Sequence, residues 1–397
     1  MSKKVVLAFS GGLDTSYCAV YLKKEMGLEV HAVLANTGGF SHEELKKIEQ
    51  RAKALGVASY KCLDVSQKYY EQSIKYMIFG NVLKNGTYPI SVSSERISQA
   101  TAVAEYALEM GADYICHGST GAGNDQVRFD MIFDIIAPGI DVIALIRDKR
   151  LAREEEIAYL RENGVDFDFK KAEYSINQGV WGTSVGGKET LTSSQTLPEE
   201  AYPSQMTATE PKRVTLTFEK GELAGINGVK YTDKIKAIQD LQKIAAPYAV
   251  GRDMHVGDTI IGIKGRVGFE AAAPMIIIKS HHMLEKHTLT KWQLFWKDQI
   301  SAFYGNWLHE GQYFDPVMRD MEAMLESSQK YVSGDVFVEL QPYRFIVVGI
   351  ESDHDLMSSK FGSYGELMAD WTGDDVKGFS KIFGNQVSMH RKINEEK

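Results

Sequence analysis

The stretch VVLAFSGGLDTS, residues 5–16, constrains the fold of this chain more than any other. An apolar run (Val5, Val6, Leu7, Ala8) breaks at Phe9-Ser10-Gly11-Gly12, and Leu13-Asp14-Thr15-Ser16 follows at once. A core strand needs no such ending; a strand that delivers its end to a phosphate does. Glycines reach positive φ and leave backbone N–H groups uncovered, so several can converge on one anion. Ser10, Thr15 and Ser16 add hydroxyl donors, and the following helix aims its positive end at the same spot. The loop is neither GxxxxGK[ST] nor GxGxxG. Its plainer reading is a tight turn between strand and helix.

The first 165 residues alternate apolar strands, expected at 5–8, 30–35, 59–64, 113–116 and 142–146, with amphipathic helices. The helix over 41–56 opens on a capping box, Ser41 with Glu44, and stops at Gly56. Helices over 94–111 and 151–164 also end in glycine. This alternation predicts an α/β fold, a doubly wound parallel sheet with helices on both faces. Ligands of such sheets bind beyond the carboxyl ends of the strands, so 9–16 and the loop after Cys116 share one edge.

From about residue 166 the pattern changes. Residues 174–198 read as a Ser/Thr/Gly-rich loop, 213–228 and 336–352 as hairpins, and 232–245 and 289–304 as helices. Residues 360–397 read as a loop and a polar helix that reaches towards another subunit. At 397 residues the chain is too long for one core. It divides into a nucleotide-binding domain (1–165), an α+β substrate and multimerisation domain (166–360) and an oligomerisation tail (361–397).

A net charge of −8 argues against a nucleic-acid partner. Cys18, Cys62 and Cys116 form no CxxC, which suits a reducing cytosol and buried thiols. No apolar leader precedes the first strand, and no run of eighteen apolar residues exists to enter a membrane. A cytoplasmic protein is expected. His281, His282 and His287 lack the partners of a metal set and read as structural. Leu289, Trp292, Phe295 and Trp296 share one helical face, as core or subunit interface.

The SGGLDTS loop resembles the PP-loop of the ATP pyrophosphatase group. Two further motifs, LANTGG (34–39) and HGSTGAGNDQVRF (117–129), resemble those of the argininosuccinate synthase family. The resemblance is strong over residues 1–130, continuous to about 270, and one of general plan beyond. It implies ligation of citrulline and aspartate, with ATP going to AMP and pyrophosphate through a citrullyl-adenylate. It also implies Mg²⁺ with the ATP and a homotetramer.

By matching position, Ala8, Phe9, Ser10, Gly11, Gly12, Leu13, Asp14, Thr15, Ser16, Ala35 and Gly118 would contact ATP. Thr120, Asn124 and Asp125 would bind aspartate. Tyr88, Ser93, Asn124, Arg128, Ser175 and Ser184 would bind citrulline. No protein nucleophile is implied; Asp14, as a Mg²⁺ ligand or a loop brace, and Arg128 are the candidates for catalysis.

The match breaks at the family's Glu and Tyr for the citrulline α-amine, where this chain has Gly257 and Phe269, and at its Leu-Ala-Arg, here Ser94-Glu95-Arg96. Two readings follow. One is an N-acylated citrulline as substrate. The other is free citrulline, with Glu270 or Asp258 in place of the missing acid. Rival classes are a PP-loop tRNA-modifying enzyme, disfavoured by charge and cysteines, and a nucleotide-binding pseudoenzyme.

Overall fold

The computed structural model describes residues 2–165, 174–357 and 370–395. The first unit runs β1 (Lys4–Ala8), α1 (Leu13–Lys24), β2 (Glu29–Asn36), α2 (His42–Ala54) and β3 (Ser59–Asp64). Two short helices follow, α3 (Ser66–Tyr69) and α4 (Lys75–Phe79), joined by a wide π turn at Tyr70–Ile74. It ends with α5 (Ser91–Met110), β4 (Tyr114–Cys116), α6 (Asp125–Ile136), β5 (Asp141–Ile143), α7 (Leu145–Lys149) and α8 (Arg153–Glu162). The five strands are parallel in the order β3-β2-β1-β4-β5. β1 lies between β2 and β4, so the strand order reverses beside it, where such sheets bind ligands.

The continuous apolar run of β1 has a physical cause. Val6 packs into one core cluster with α5, whereas Val5 and Leu7 pack into another with α1 and α8. A strand covered on both faces has no polar side. At the start of α2 the Ser41 side chain accepts from the Glu44 N–H and the Glu44 carboxylate from the Ser41 N–H, as the capping box requires.

The second unit contains β6 (Ser175–Gly179), β7 (Gly182–Gly186), β8 (Lys212–Glu219), β9 (Glu222–Ile226), β10 (Val229–Lys230) and α9 (Lys234–Ala245). It continues with β11 (Arg252–Asp258), β12 (Lys264–Glu270), α10 (Ala272–Thr288), α11 (Lys291–His309), α12 (Val317–Ser328), β13 (Gly334–Gln341) and β14 (Arg344–Glu351). α13 (Gly373–Phe383) and α14 (Asn385–Asn394) form the tail. Two antiparallel sheets result, β10-β9-β8-β13-β14 and β11-β12-β7-β6. Among the described residues no helix is long and apolar enough to cross a membrane.

Several expectations are corrected. The strand over 142–146 stops at Ile143, and the buried Leu145 and Ile146 begin α7 instead; a short apolar run does not reveal its own period. The stretch 174–198 is not simply a loop but opens with the β6–β7 hairpin, whose glycines hide the strand pattern. Leu289 is buried as the cap of α10, and α11 starts two residues later behind the Thr290 capping box. Trp292, Phe295 and Trp296 are 62%, 48% and 56% exposed, so they are not core.

The tail is two amphipathic helices, with Phe379, Ile382 and Phe383 exposed, rather than one polar helix. The first part of the expected tail loop, 360–369, lies outside the described residues, as do both proposed domain boundaries. Cys62 is exposed, whereas Cys18 and Cys116 are buried. α10 and α12 had no sequence expectation. His281, on α10, is fully buried between Asn81 and Gln329, a structural role.

Candidate functional site

The carboxyl ends of β1, β2 and β4 open into a cavity of about 990 Å³, closed opposite by the β11-β12-β7-β6 sheet. Ala8, Phe9, Ser10, Gly11, Gly12, Leu13, Asp14 and Thr15 line one end, with Ala35 and Gly118. Gly11 holds φ +74°, which turns the chain into α1, and Arg51 of α2 donates to its carbonyl. Ser16 is fully buried beneath the loop, off the cavity, and its hydroxyl donates to the Gly12 carbonyl at 2.7 Å. A β-carbon on Gly118 would lie 3.1 Å from Thr15 Cγ2 and 3.2 Å from Asp14 Cβ, so the bare glycine lets the two loops close together.

Burial pushes the Asp14 carboxyl up, while the neighbouring Glu156 of α8 and the charge of Arg153 pull it back down. Burial, and then the charge of Asp14, pushes Glu156 up to about 8. Two adjacent, partly buried acids favour a proton retained on one of them, Glu156.

The 117–129 motif forms the middle of the cavity. His117 is buried, with Nε2 2.8 Å from Asp130 Oδ1, and its Nδ1 accepts from the Ser119 N–H at 3.1 Å. That holds the loop on which Thr120 and Asn124 face the cavity. Asn124 Oδ1 accepts from the Ile260 N–H of the second unit at 2.8 Å. Asp125 receives Arg128 Nη1 at 2.8 Å and Arg96 Nε at 2.9 Å. Burial works against its charge, yet the two guanidiniums hold its carboxyl down at about 2. Arg128 also donates from Nε and Nη2 to the carbonyl of His309, the last residue of α11.

The far end is set by strand register. Residues directly opposite in an antiparallel pair share a face. Ser184 lies opposite Asn177 and Phe269, His255 opposite Val267, and Gly257 opposite Gly265. Ser175, Ser184, His255 and Gly257 therefore line the cavity together, with Tyr88 and Ser93 arriving from α5 and the loop before it. Phe269 shares that face but is fully buried against Tyr88, ring centroids 5.4 Å apart, and does not reach the cavity.

Glu270 turns to the opposite face and pairs with Arg252 at 2.8 Å. Asp258 stands at the exposed rim against Lys264. Burial pushes Glu95 up to about 8; it accepts from Thr37 at 3.0 Å and backs the hairpin tip at Gly179. Arg96 ties the hairpin through Asn177 at 3.0 Å.

Sequence reasoning missed His255 and His309, both buried at the cavity wall. The one trace of His255 was its place two residues before Gly257, on the same face of a strand. Among the described residues no cluster of three or more His, Cys, Asp or Glu could hold a metal.

A glycine loop between β1 and α1 at the point where strand order reverses defines an α/β domain of the HUP class. The family models agree: residues 4–166 match the arginosuccinate synthase N-terminal HUP domain and 174–390 the arginosuccinate synthase C-terminal domain. The chain is 36% identical to an argininosuccinate synthase of Xanthomonas campestris over 407 residues, 99% of each chain. It is 35% identical to one of Methanocaldococcus jannaschii over 393 residues, 98% of each. This chain belongs to the argininosuccinate synthase family.

Proposed function

We propose that the chain joins citrulline to aspartate at the expense of ATP, yielding argininosuccinate, AMP and pyrophosphate. The observation that carries this reading is one cavity lined by the glycine loop, the 117–129 motif and the hairpin serines together. The ureido oxygen attacks the α-phosphorus and pyrophosphate leaves. The aspartate amine then attacks the ureido carbon, AMP leaves, and the amine gives up a proton. The backbone N–H groups of the loop and the start of α1 would hold the departing pyrophosphate. Ala35 and Gly118 would flank the nucleotide.

Arg128 and Asp125, with Thr120 and Asn124, would position the carboxylates and amine of the substrates. Tyr88, Ser93, Ser175 and Ser184 would hold citrulline. The Asp14 carboxylate offers the hard oxygen that Mg²⁺ accepts alongside nucleotide phosphates. The ion would neutralise charge on the phosphoryl oxygens. The division at 1–165, 166–360 and 361–397, a cytoplasmic location and a homotetramer built through the tail complete the reading. The full-length match favours free citrulline over an N-acylated one.

The test is pyrophosphate release with ATP, Mg²⁺, aspartate and citrulline. One pyrophosphate per argininosuccinate is expected; ATP binding without release would leave only a nucleotide-binding protein.

A further inference from the structure

We infer that His255 reads the carboxylate of the ureido substrate and that this end of the pocket does not select for an α-ammonium. The inference rests on the citrulline reading above and deepens it.

His255 lies on the cavity face of β11, 6% exposed, with its ring stacked on Tyr88 at 5.1 Å and 26°. It leans over Gly257. A β-carbon at position 257 would sit 2.6 Å from His255 Nε2, so the imidazole occupies the space a side chain there would need.

The tautomer follows from burial. Nδ1 of His255 is buried and has no hydrogen-bond partner among the described residues. A buried N–H without an acceptor is costlier than a bare lone pair, so the proton resides on Nε2, the atom over Gly257. Burial, and then the nearby charge of Lys84, keep the ring neutral. His255 thus presents an N–H donor to the substrate.

The surroundings have the same sign preference. The acids lining the cavity are Asp14, Glu44, Asp125 and Asp258. Asp125, paired with Arg96 and Arg128, belongs to the aspartate site in the middle of the cavity, and Asp258 is paired with Lys264 at the rim. Asp14 and Glu44 belong to the phosphate end. Phe269 is buried behind Tyr88 and offers the substrate no polar group. An entering ammonium meets donors and cations; a carboxylate meets the Nε2–H and the field of Lys84. The ligand class for this end is therefore an ω-ureido acid, read by its carboxylate.

Steady-state pyrophosphate release with three substrates tests this: citrulline, 5-ureidopentanoate (no amine) and citrulline amide (no carboxylate). With the unaltered chain, KM for 5-ureidopentanoate should lie within about threefold of that for citrulline, and the amide should be at least about tenfold weaker. His255→Leu should raise KM for both acids about tenfold while kcat changes much less, narrowing their lead over the amide. His255→Gln, which keeps an N–H donor, should recover part of the loss.

Turnover of citrulline with a preference of more than about threefold over 5-ureidopentanoate overturns the inference while leaving the ligase reading intact. So does a folded His255→Leu variant whose KM for the acids is unmoved. If that variant does not fold, the three-substrate comparison on the unaltered chain decides alone. No turnover with any ureido substrate overturns the ligase reading itself, and the inference with it.

Discussion

Asp125 and Arg128 stand one turn apart on α6 and are joined at 2.8 Å, while Arg96 of α5 grips the second carboxylate oxygen at 2.9 Å. One anion thus separates two buried guanidiniums. Asp125→Asn leaves those cations facing each other without compensation and should cost about 3–5 kcal/mol of stability. The thermal midpoint measures it, and the KM for aspartate should rise in the same variant. An unchanged midpoint would mean that the arginines find other partners.

Gly179 turns the hairpin tip against α5. A β-carbon there would fall 1.4 Å from Glu95 Oε1. Gly179→Ala should therefore push the hairpin, and with it Ser175 and Ser184, off the cavity. We expect KM for citrulline to rise roughly tenfold or more, with KM for ATP nearly constant, because misplacement of about 1 Å is costly in a positioning enzyme. Equal rises for both substrates would point to general unfolding instead.

Glu95 retains its proton in the folded chain up to about pH 8, against an ordinary value of 4.5. Between those values the folded state binds more protons than the unfolded state, so stability falls as pH rises through the window. The slope from this one group is at most about 1.4 kcal/mol per pH unit. Glu95→Gln should flatten it, and denaturant midpoints at pH 5 and pH 8 would display the difference. Parallel pH profiles for both proteins would contradict a buried, neutral Glu95.

Phe379 and Phe383 stack at 5.2 Å on α13, 64% and 77% exposed, beside an equally exposed Ile382. Replacing both phenylalanines by Ser should lower the mass of the assembly seen by light scattering, with the fold of each chain kept. A mass unaltered by the double change would remove the tail from the interface.

Legibility followed chemistry. The capping box at Ser41 and Glu44, the parallel strands and the glycine loop were readable because each is a local pattern with one physical solution. The β6–β7 hairpin was not, since Gly179, Gly182 and Gly186 erase the apolar alternation by which a strand is recognised. α10 escaped because it buries polar as well as apolar side chains, Ser280, His281 and Glu285 among them, and so shows no clean apolar face. α12 does carry one, with Met318, Met321 and Leu325 buried at helical spacing, and simply went unread. Nineteen of the residues assigned by resemblance converge on one cavity, because the 117–129 motif and the strands fix them. Ser16 and Phe269 fell just outside it, and only burial could reveal that. His255 and His309 were invisible for want of any motif; strand register and helix length bring them to the wall.

α11 spans nineteen residues, a rod of about 28 Å. Its last carbonyl receives Arg128 in the cavity, and its first turns carry Trp292, Phe295 and Trp296 at the surface. The helix is thus a lever with an aromatic handle outside and, at its inner end, the carbonyl that anchors Arg128. A tilt of about 2° at the handle displaces the far end by about 1 Å. A shift of that size would carry the His309 carbonyl, and with it the anchor of Arg128, by the same distance.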